Sequence, residues 1–211
     1  MEADFWHSKW ENNQIGFHES KGNQLLIKHI DALGLIKNDR VFLPLCGKTK
    51  DIAWLRDQGY KVVGIELNED AVIQLFKDIG ETPTIESIDK LTRYSINNIE
   101  IYVGDLFELS KQQLGTVNAV YDRAALVALP DTMREQYTQH LQTITSRAPQ
   151  LLITYEYNQD EMNGPPFSVT TEMVTAYYED TFTIQELDRT GEKMRGTIDA
   201  KNVVWYLDVQ N

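Results

Sequence analysis

Short apolar runs alternate with amphipathic segments along most of this chain. Seven runs rich in β-branched and aromatic residues predict strands, at residues 40–43, 61–66, 99–103, 119–121, 151–155, 182–187 and 203–209. Helical spacing and capping residues predict helices at residues 5–11, 24–33 and 51–58, and helices that open at Asn68, at Asp131 and at Ser168 or Thr170. Strands separated by helices favour a mostly parallel sheet with helices on both faces.

The last two predicted strands have no convincing helix between them. We therefore expect them to pair antiparallel at one edge of the sheet, through a turn near Gly191 or Gly196. Two polar, proline-containing stretches, at residues 80–98 and 158–167, are expected to be loops or insertions.

Composition and charge limit the class of protein. The chain has 211 residues, 42% of them hydrophobic and 25% charged, which is typical of a globular domain with its own core. A net charge of -12, from 20 basic and 32 acidic residues, disfavours nucleic acid as a substrate. No apolar run approaches the roughly 20 residues needed to cross a bilayer, and the N-terminus does not resemble a signal peptide. We expect a cytoplasmic, monomeric single domain over residues 1–211 that acts on a small molecule, without membrane or nucleic-acid partners.

Ligands of open α/β sheets bind beyond the carboxyl ends of the strands. The turn after the first predicted strand reads PLCGK, where Gly47 lets the backbone approach a ligand. It lacks both the phosphate-loop pattern and the G-x-G-x-x-G pattern. Glu66 ends the second strand, 20 residues beyond Cys46, where a carboxylate can accept two ribose hydroxyls. Together these features favour a nucleoside cofactor without a diphosphate. The alternatives are that PLCGK is an ordinary strand-to-helix turn and that Glu66 is a solvated carboxylate.

Three further positions are candidates for the same site. Leu106, or the phenylalanine after it, can pack on an adenine ring after the third strand. Arg123 follows the fourth strand, where it can hold an anion or a cofactor carboxylate, with Asp122 orienting it. Trp6 and Trp10 share one face of the leading helix, and the Trp10 ring can shield a sulfonium. For Leu106 and the residue after it, the alternative is an ordinary turn with a core aromatic residue. For the two tryptophans, the alternative is a helix that simply packs on the core.

Metal and cysteine chemistry are not indicated. The four histidines show no metal-ligand spacing, so no metal site is expected. Cys46 has no histidine that the sequence places beside it, and we interpret it as a small apolar turn residue.

Four blocks of the sequence resemble the thiopurine S-methyltransferase family. They are Trp6 and Trp10 with Gly16-Phe17-His18, VFLPLCGKTKD at residues 41–51, GYKVVGIE at 59–66, and YDRAALVA at 121–128. The PLCGK turn is specific, because most methyltransferases carry a more glycine-rich loop there. The resemblance implies a class I methyltransferase Rossmann-like α/β fold. Its seven-stranded, mostly parallel sheet would have one antiparallel edge strand, helices on both faces and an N-terminal helical lid at residues 1–37.

The resemblance also implies a cofactor and a reaction. S-adenosyl-L-methionine would be bound by Trp10, Leu45, Gly47, Glu66, Leu106 and Arg123. Its methyl group would pass to the sulfur of aromatic and heterocyclic thiols, including thiopurines, with selenium and tellurium detoxification as an associated role. Arg123 is the catalytic candidate, because a guanidinium can stabilise the attacking thiolate. Phe17, Phe167 and Arg195 are the expected substrate contacts.

Other functions stay open at this point. A halide or thiocyanate methyltransferase would need the same cofactor site. A protein that binds S-adenosylmethionine or sequesters a toxic ligand, without turnover, would also keep it. A dehydrogenase is disfavoured, because the chain lacks the glycines that cradle a pyrophosphate.

Overall fold

One mixed sheet organises the part of the chain that the computed structural model describes, which is residues 3–12, 19 and 22–210, without the side chains of residues 3, 4 and 7. The strands are β1 (Arg40–Leu43), β2 (Lys61–Glu66), β3 (Thr84–Ile88), β4 (Leu91–Ile96), β5 (Ile99–Val103), β6 (Ala119–Arg123), β7 (Gln150–Tyr157), β8 (Phe182–Met194) and β9 (Ile198–Val209). The α-helices are α1 (Ala3–Glu11), α2 (Gln24–His29), α3 (Asp51–Asp57), α4 (Glu69–Ile79), α5 (Lys111–Leu114), α6 (Asp131–Ile144) and α7 (Thr171–Tyr178). Single 3-10 turns occur at Ile30–Leu33, Leu106–Glu108, Leu126–Ala128 and Gln159–Glu161.

The strand order is β3-β4-β5-β2-β1-β6-β7-β9-β8. The strands β5, β2, β1, β6 and β7 run parallel to one another, which confirms the predicted parallel core. Two expectations were wrong. The sheet has nine strands rather than seven, because residues 84–96 form the antiparallel hairpin β3–β4 where a loop was predicted. The last two strands do pair antiparallel at one edge, as expected, but the edge strand is β8, and the antiparallel strand β9 lies between β7 and β8.

Helices cover both faces of the sheet, as predicted. The alternation along β1 shows the arrangement: Phe42 packs with α6 and α7, while Val41 and Leu43 pack with α2, α3 and α4. Buried side chains fill both layers, so the sheet is a fixed support for the loops at its strand ends.

Local signals explain most helix boundaries. The Asn68 side chain accepts the Ala71 N–H and opens α4, and Thr170 caps α7. The helix predicted at Asp131 is present as α6, but the predicted capping role of Asp131 was wrong. Pro130 holds the cap position, and the Asp131 carboxylate pairs with Arg134.

The C-terminal hairpin turns at residues 195–197, which include the predicted Gly196, while Gly191 lies within β8. Residues 158–167 contain a 3-10 turn and no strand, as expected. Among the described residues, no helix has both the length and the apolar character needed to cross a membrane.

Candidate functional site

A cavity of about 680 Å³ opens at the carboxyl ends of the parallel strands. It lies where the chain leaves β1 toward one side of the sheet and β6 toward the other, which is the switch point of an open α/β sheet. Its walls come from α1, from the loops after β1, β2, β5 and β6, from β7, from residues 164–166 and from the tip of the β8–β9 hairpin. The sheet topology therefore gathers distant parts of the chain around one space.

The PLCGK turn forms one end of the cavity. Leu45 has φ 46° and Gly47 has φ 54°, so two residues of the turn adopt the left-handed region. Leu45 lines the cavity, whereas Gly47 does not. The Gly47 N–H is used within the protein, where it donates to Glu66 Oε2 at 2.8 Å.

Glu66 is a buried carboxylate on the cavity wall beside this turn. Its Oε2 accepts the Gly47 N–H, and its Oε1 accepts the Asn68 N–H at 2.9 Å. A carboxylate has about four lone-pair positions, so it can accept further hydrogen bonds from a ligand while keeping these two. Glu66 thus ties the turn after β1 to the turn after β2.

The leading helix α1 forms part of the cavity wall. Phe5, Trp6, Lys9 and Trp10 all line the cavity, which puts one face of α1 over it. Trp10 is only 8% exposed, so it belongs to the wall rather than to the outer surface. The predicted arrangement of two tryptophans on one face places both beside the cavity.

Leu106 and Phe107 form the wall after β5. The Asp105 side chain accepts the Phe107 N–H at 3.0 Å and starts the 3-10 turn. His140 Nε2 lies 3.0 Å from the Leu106 carbonyl, which it reaches from α6. These contacts hold a flat apolar surface that can pack against a ring.

Arg123 ends β6 and lines the cavity with its side chain 9% exposed. It forms an ion pair with Glu19, through Nη2. Burial acts to lower its pKa, but the neighbouring Tyr155 and Glu19 raise it further, so the net pKa lies above the usual range. Arg123 is therefore a fixed positive charge on the cavity wall.

Of the eight predicted site residues that the structure describes, six lie together on the wall and two do not. Those on the wall are Trp10, Leu45, Glu66, Leu106, Arg123 and Arg195. Gly47 and Phe167 lie next to it without lining it. Phe17 lies outside the described residues.

Comparisons with known proteins identify the family to which this chain belongs. The family model of thiopurine S-methyltransferase (TPMT) matches residues 1–204. The thiopurine S-methyltransferase of Xanthobacter autotrophicus is 44% identical over 211 residues, which cover 99% of each chain. That of Pseudomonas aeruginosa strain LESB58 is 46% identical over 190 residues, covering 90% of this chain and 87% of that protein.

The chain belongs to the thiopurine S-methyltransferase family. A solved structure supports the fold: a Burkholderia thailandensis 1,6-didemethyltoxoflavin-N1-methyltransferase with bound S-adenosylhomocysteine has a TM-score of 0.68 at 14% identity, covering 99% of this chain and 87% of that one. A SAM-dependent methyltransferase from Anabaena variabilis gives a TM-score of 0.66 at 15% identity, covering 99% and 95% of the two chains. Family and fold make the protein a methyltransferase that uses S-adenosylmethionine.

The cavity fits the cofactor of a thiopurine S-methyltransferase family member. Its volume is within the range of about 300–1,000 Å³ that ligand pockets occupy. The wall contains a carboxylate that can accept ribose hydroxyls, apolar side chains that can pack on an adenine, and aromatic rings that can cover a sulfonium. The turn after β1 carries no row of glycines for a pyrophosphate, and this cofactor has none.

The opposite end of the cavity is built by residues that the sequence did not single out. Tyr155 from β7 and Glu192 from β8 line it beside the predicted Arg195. Arg123 lowers the pKa of Tyr155 through its charge and a hydrogen bond, but burial has the larger effect and raises it. Tyr155 ends a predicted strand, so the rule about carboxyl ends of strands would have found it. Glu192 had no such signal, because its hairpin was predicted to be shorter.

Phe167 supports this end of the cavity from behind. The Arg134 guanidinium lies 5.6 Å from the centre of its ring, and the Phe167 N–H donates to the Val127 carbonyl at 2.7 Å. Arg134 is itself buried and donates to the Leu129 carbonyl at 2.9 Å. The ring therefore packs on α6, while Gly164, Pro165 and Pro166 of the same loop form the wall.

Gly164 is the position of this loop where an added side chain would disturb the packing most. Its φ is 70°, and a Cβ added there would lie 2.5 Å from Phe167 Cδ1. We expect Gly164→Ala to lower kcat/KM for the methyl acceptor about tenfold, because the strained backbone and the displaced ring move the wall by some tenths of an ångström. Steady-state kinetics with a saturating cofactor would measure this.

Gly191→Ala is the matched control, because a Cβ at Gly191 meets nothing within 4 Å. The affinity for S-adenosylhomocysteine should stay within about twofold of the wild type in both variants. If Gly164→Ala had the same kcat/KM for the methyl acceptor as Gly191→Ala, this loop would not shape the part of the cavity that binds the acceptor.

Asp122 is fully buried behind the site and does not orient Arg123, contrary to the prediction. Its Oδ2 accepts the Tyr137 hydroxyl at 2.6 Å, and its Oδ1 accepts the Leu126 N–H at 3.2 Å. Burial raises the pKa of Asp122 to about 6, although hydrogen bonds from Tyr137 and two backbone N–H groups act in the opposite direction. Asp122 thus anchors the segment after β6, and its charge is costly in this place.

The raised pKa predicts how stability depends on pH. Between pH 4 and about 6 the folded protein holds a proton on Asp122 that the unfolded chain has released, so this group's contribution falls as pH rises. The loss amounts to about 3 kcal/mol once the carboxyl is ionised. We expect the stability of Asp122→Asn relative to the wild type to increase from pH 4.5 to pH 7.5, as measured by urea unfolding.

Asp78→Asn, at an exposed position of α4, is the control and should show no such trend. A stability difference between Asp122→Asn and the wild type that is the same at both pH values would contradict the raised pKa.

Cys46 lines the cavity but has the properties of a packing residue. Burial raises the pKa of its thiol well above the usual value, and the nearby Glu66 raises it again. A Cβ at Gly64 would lie 2.8 Å from Cys46 Sγ, so the sulfur packs directly on β2. A thiol held in its neutral form is a poor nucleophile, which supports the interpretation as a turn residue.

Proposed function

We propose that the protein transfers the methyl group of S-adenosylmethionine to the sulfur of aromatic and heterocyclic thiols, including thiopurines. The observation that carries the proposal is a largely buried arginine, with its side chain 9% exposed, on the wall of a cavity lined mostly by aromatic and apolar residues. Thiols of this kind are acidic enough to ionise near neutral pH. A fixed guanidinium favours the thiolate, and apolar walls favour its ring.

S-adenosylmethionine supplies, when bound, an electrophilic methyl group on a positively charged sulfur. In this proposal Glu66 accepts its ribose hydroxyls, while Leu106 packs on its adenine and Trp10 covers its charged sulfur. Leu45 completes that end, and Gly47 acts through the position of Glu66 rather than by direct contact.

Arg123 holds the acceptor thiolate and stabilises its charge up to the transfer. Tyr155, Arg195 and residues 164–166 enclose the acceptor ring and exclude water. The reaction needs positioning more than proton transfer, and positioning alone can lower a barrier by about 7–11 kcal/mol. Phe17 stays a predicted contact of the acceptor. The monomeric state, the cytoplasmic location, the absence of nucleic-acid partners and the role in selenium and tellurium detoxification stay predictions.

A radiolabelled methyl-transfer screen tests the proposal. We expect rapid transfer to thiophenol and to thiopurines. Iodide, selenite and tellurite are the other acceptors in the screen. Transfer to iodide in preference to every thiol would make the protein a halide methyltransferase. Tight binding of S-adenosylhomocysteine without transfer to any acceptor would indicate a non-catalytic binding protein.

A further inference from the structure

Glu19 approaches the cavity arginine from outside the cavity. Its carboxylate pairs with Arg123 Nη2, yet Glu19 is not part of the wall that Arg123 lines. The Arg123 side chain is 9% exposed and the Glu19 side chain is 37% exposed. A guanidinium carries five N–H donors in a planar fork, so one edge can pair with Glu19 while the others face Tyr155 and the cavity.

A chain of hydrogen bonds holds Glu19 in this place. Asn23 Nδ2 donates to Glu19 Oε1 at 3.1 Å, and the Asn23 N–H donates to Asp51 Oδ1 at 2.7 Å. The Tyr121 hydroxyl donates to Asp51 Oδ2 at 3.0 Å. Asp51 and Tyr121 both line the cavity, so the network that begins at Arg123 returns to the same wall. Glu19 is thus fixed in position relative to the site.

This placement has an electrostatic consequence. A buried cation needs a counter-charge, and Glu19 supplies part of it. The positive charge that the cavity offers to a ligand is therefore reduced. Glu192, on the same wall as Arg123, adds to the negative potential. Arg195 and Lys193 line that wall too, but both belong to the hairpin tip, and Lys193 pairs with Asp199 at 2.6 Å.

We propose that Glu19 is a positioning residue that sets the charge selectivity of the acceptor end. It leaves Arg123 with enough positive charge for one thiolate and disfavours an acceptor that carries a second negative charge. This inference rests on the proposed function, since it requires Arg123 to face the acceptor. The acceptors that fit best are then aromatic thiols whose rings carry no carboxylate.

Glu19→Gln isolates the charge, because the amide oxygen can still accept from Asn23 and Arg123. The substrates are thiophenol and 3-mercaptobenzoate, which differ by one carboxylate. We expect kcat/KM for 3-mercaptobenzoate, relative to thiophenol, to rise about tenfold in the variant, through KM rather than kcat. Glu81→Gln, which removes a carboxylate that pairs with Arg56 away from the cavity, should leave the ratio unchanged. Glu19→Asp keeps the charge and should keep the wild-type ratio.

Two results on an active wild type would overturn the inference. An unchanged ratio, or equal losses on both thiols, would make Glu19 a structural residue only. Tighter binding of S-adenosylhomocysteine with an unchanged ratio would show that the charge of Arg123 serves the cofactor instead. A wild type that methylates neither thiol would instead refute the proposed function itself, and the selectivity role with it.

Discussion

We expect the Arg123→Ala protein to transfer methyl groups to an aromatic thiol about one hundred times more slowly than the wild type, or slower still, while staying folded. Removing one preorganised charge-stabilising group from an active site costs about 10²–10³ in kcat. The fold should tolerate the change, because Glu19 is partly exposed and can be solvated after it loses its partner. Single-turnover rates and unfolding midpoints measured on the same preparation would separate the two effects.

Two further variants sharpen this prediction. Arg123→Lys keeps the charge but loses the planar fork, so it should fall between the wild type and the alanine variant. Arg56→Ala removes a more exposed arginine that pairs with Glu81 away from the cavity, and this variant should turn over normally. Wild-type rates in Arg123→Ala would exclude a role in transfer, and a loss confined to cofactor affinity would assign the arginine to the cofactor carboxylate.

The second large effect is expected at Glu66. Glu66→Ala should weaken the binding of S-adenosylhomocysteine at least about tenfold, and we expect nearer one hundredfold. The variant loses the proposed ribose contacts, and it also leaves the Gly47 and Asn68 N–H groups without their acceptor. Isothermal titration calorimetry would measure the loss directly.

Glu66→Gln tests which property of the side chain matters. Its amide nitrogen would face either the Gly47 N–H or the Asn68 N–H, donor against donor, so the loss should approach that of alanine. Glu108→Ala, which removes an exposed carboxylate paired with Lys90, is the matched control. Unchanged affinity in Glu66→Ala would remove the ribose assignment and leave Glu66 as a brace between two turns.

The sequence predicted those parts of the fold whose side chains are buried. Strands β1, β2 and β5 were assigned with their exact bounds, because each is short, apolar and followed by a turn. The β3–β4 hairpin escaped prediction because β3 lies at the sheet edge with mostly exposed side chains. The apolar pattern of a strand depends on burial, so an edge strand shows little of it.

Site residues were predictable where their position directly after a strand is enough to place them at the site. Glu66 and Arg123 follow strands, and the topology places all such residues at one end of the sheet. Side-chain partners that are distant in the sequence were not predictable. The pairing of Glu19 with Arg123 spans 104 residues, and Asp122 was assigned to Arg123 because they are neighbours in sequence. Adjacent residues on a strand point to opposite faces, which is why Asp122 meets Tyr137 on α6 instead.

β9, the strand that comes latest in this sequence, lies inside the sheet rather than at its edge. β9 joins β7 to β8, so the hairpin tip that walls the acceptor end is attached to the sheet through residues 198–209. A nascent chain that stops before this point already contains Glu66 and Arg123, yet it cannot attach β8. Truncations within residues 198–209 therefore detach β8 and the hairpin tip from the rest of the sheet. An affinity tag is better placed beyond the end of β9, with a spacer, than as a replacement for any part of that strand.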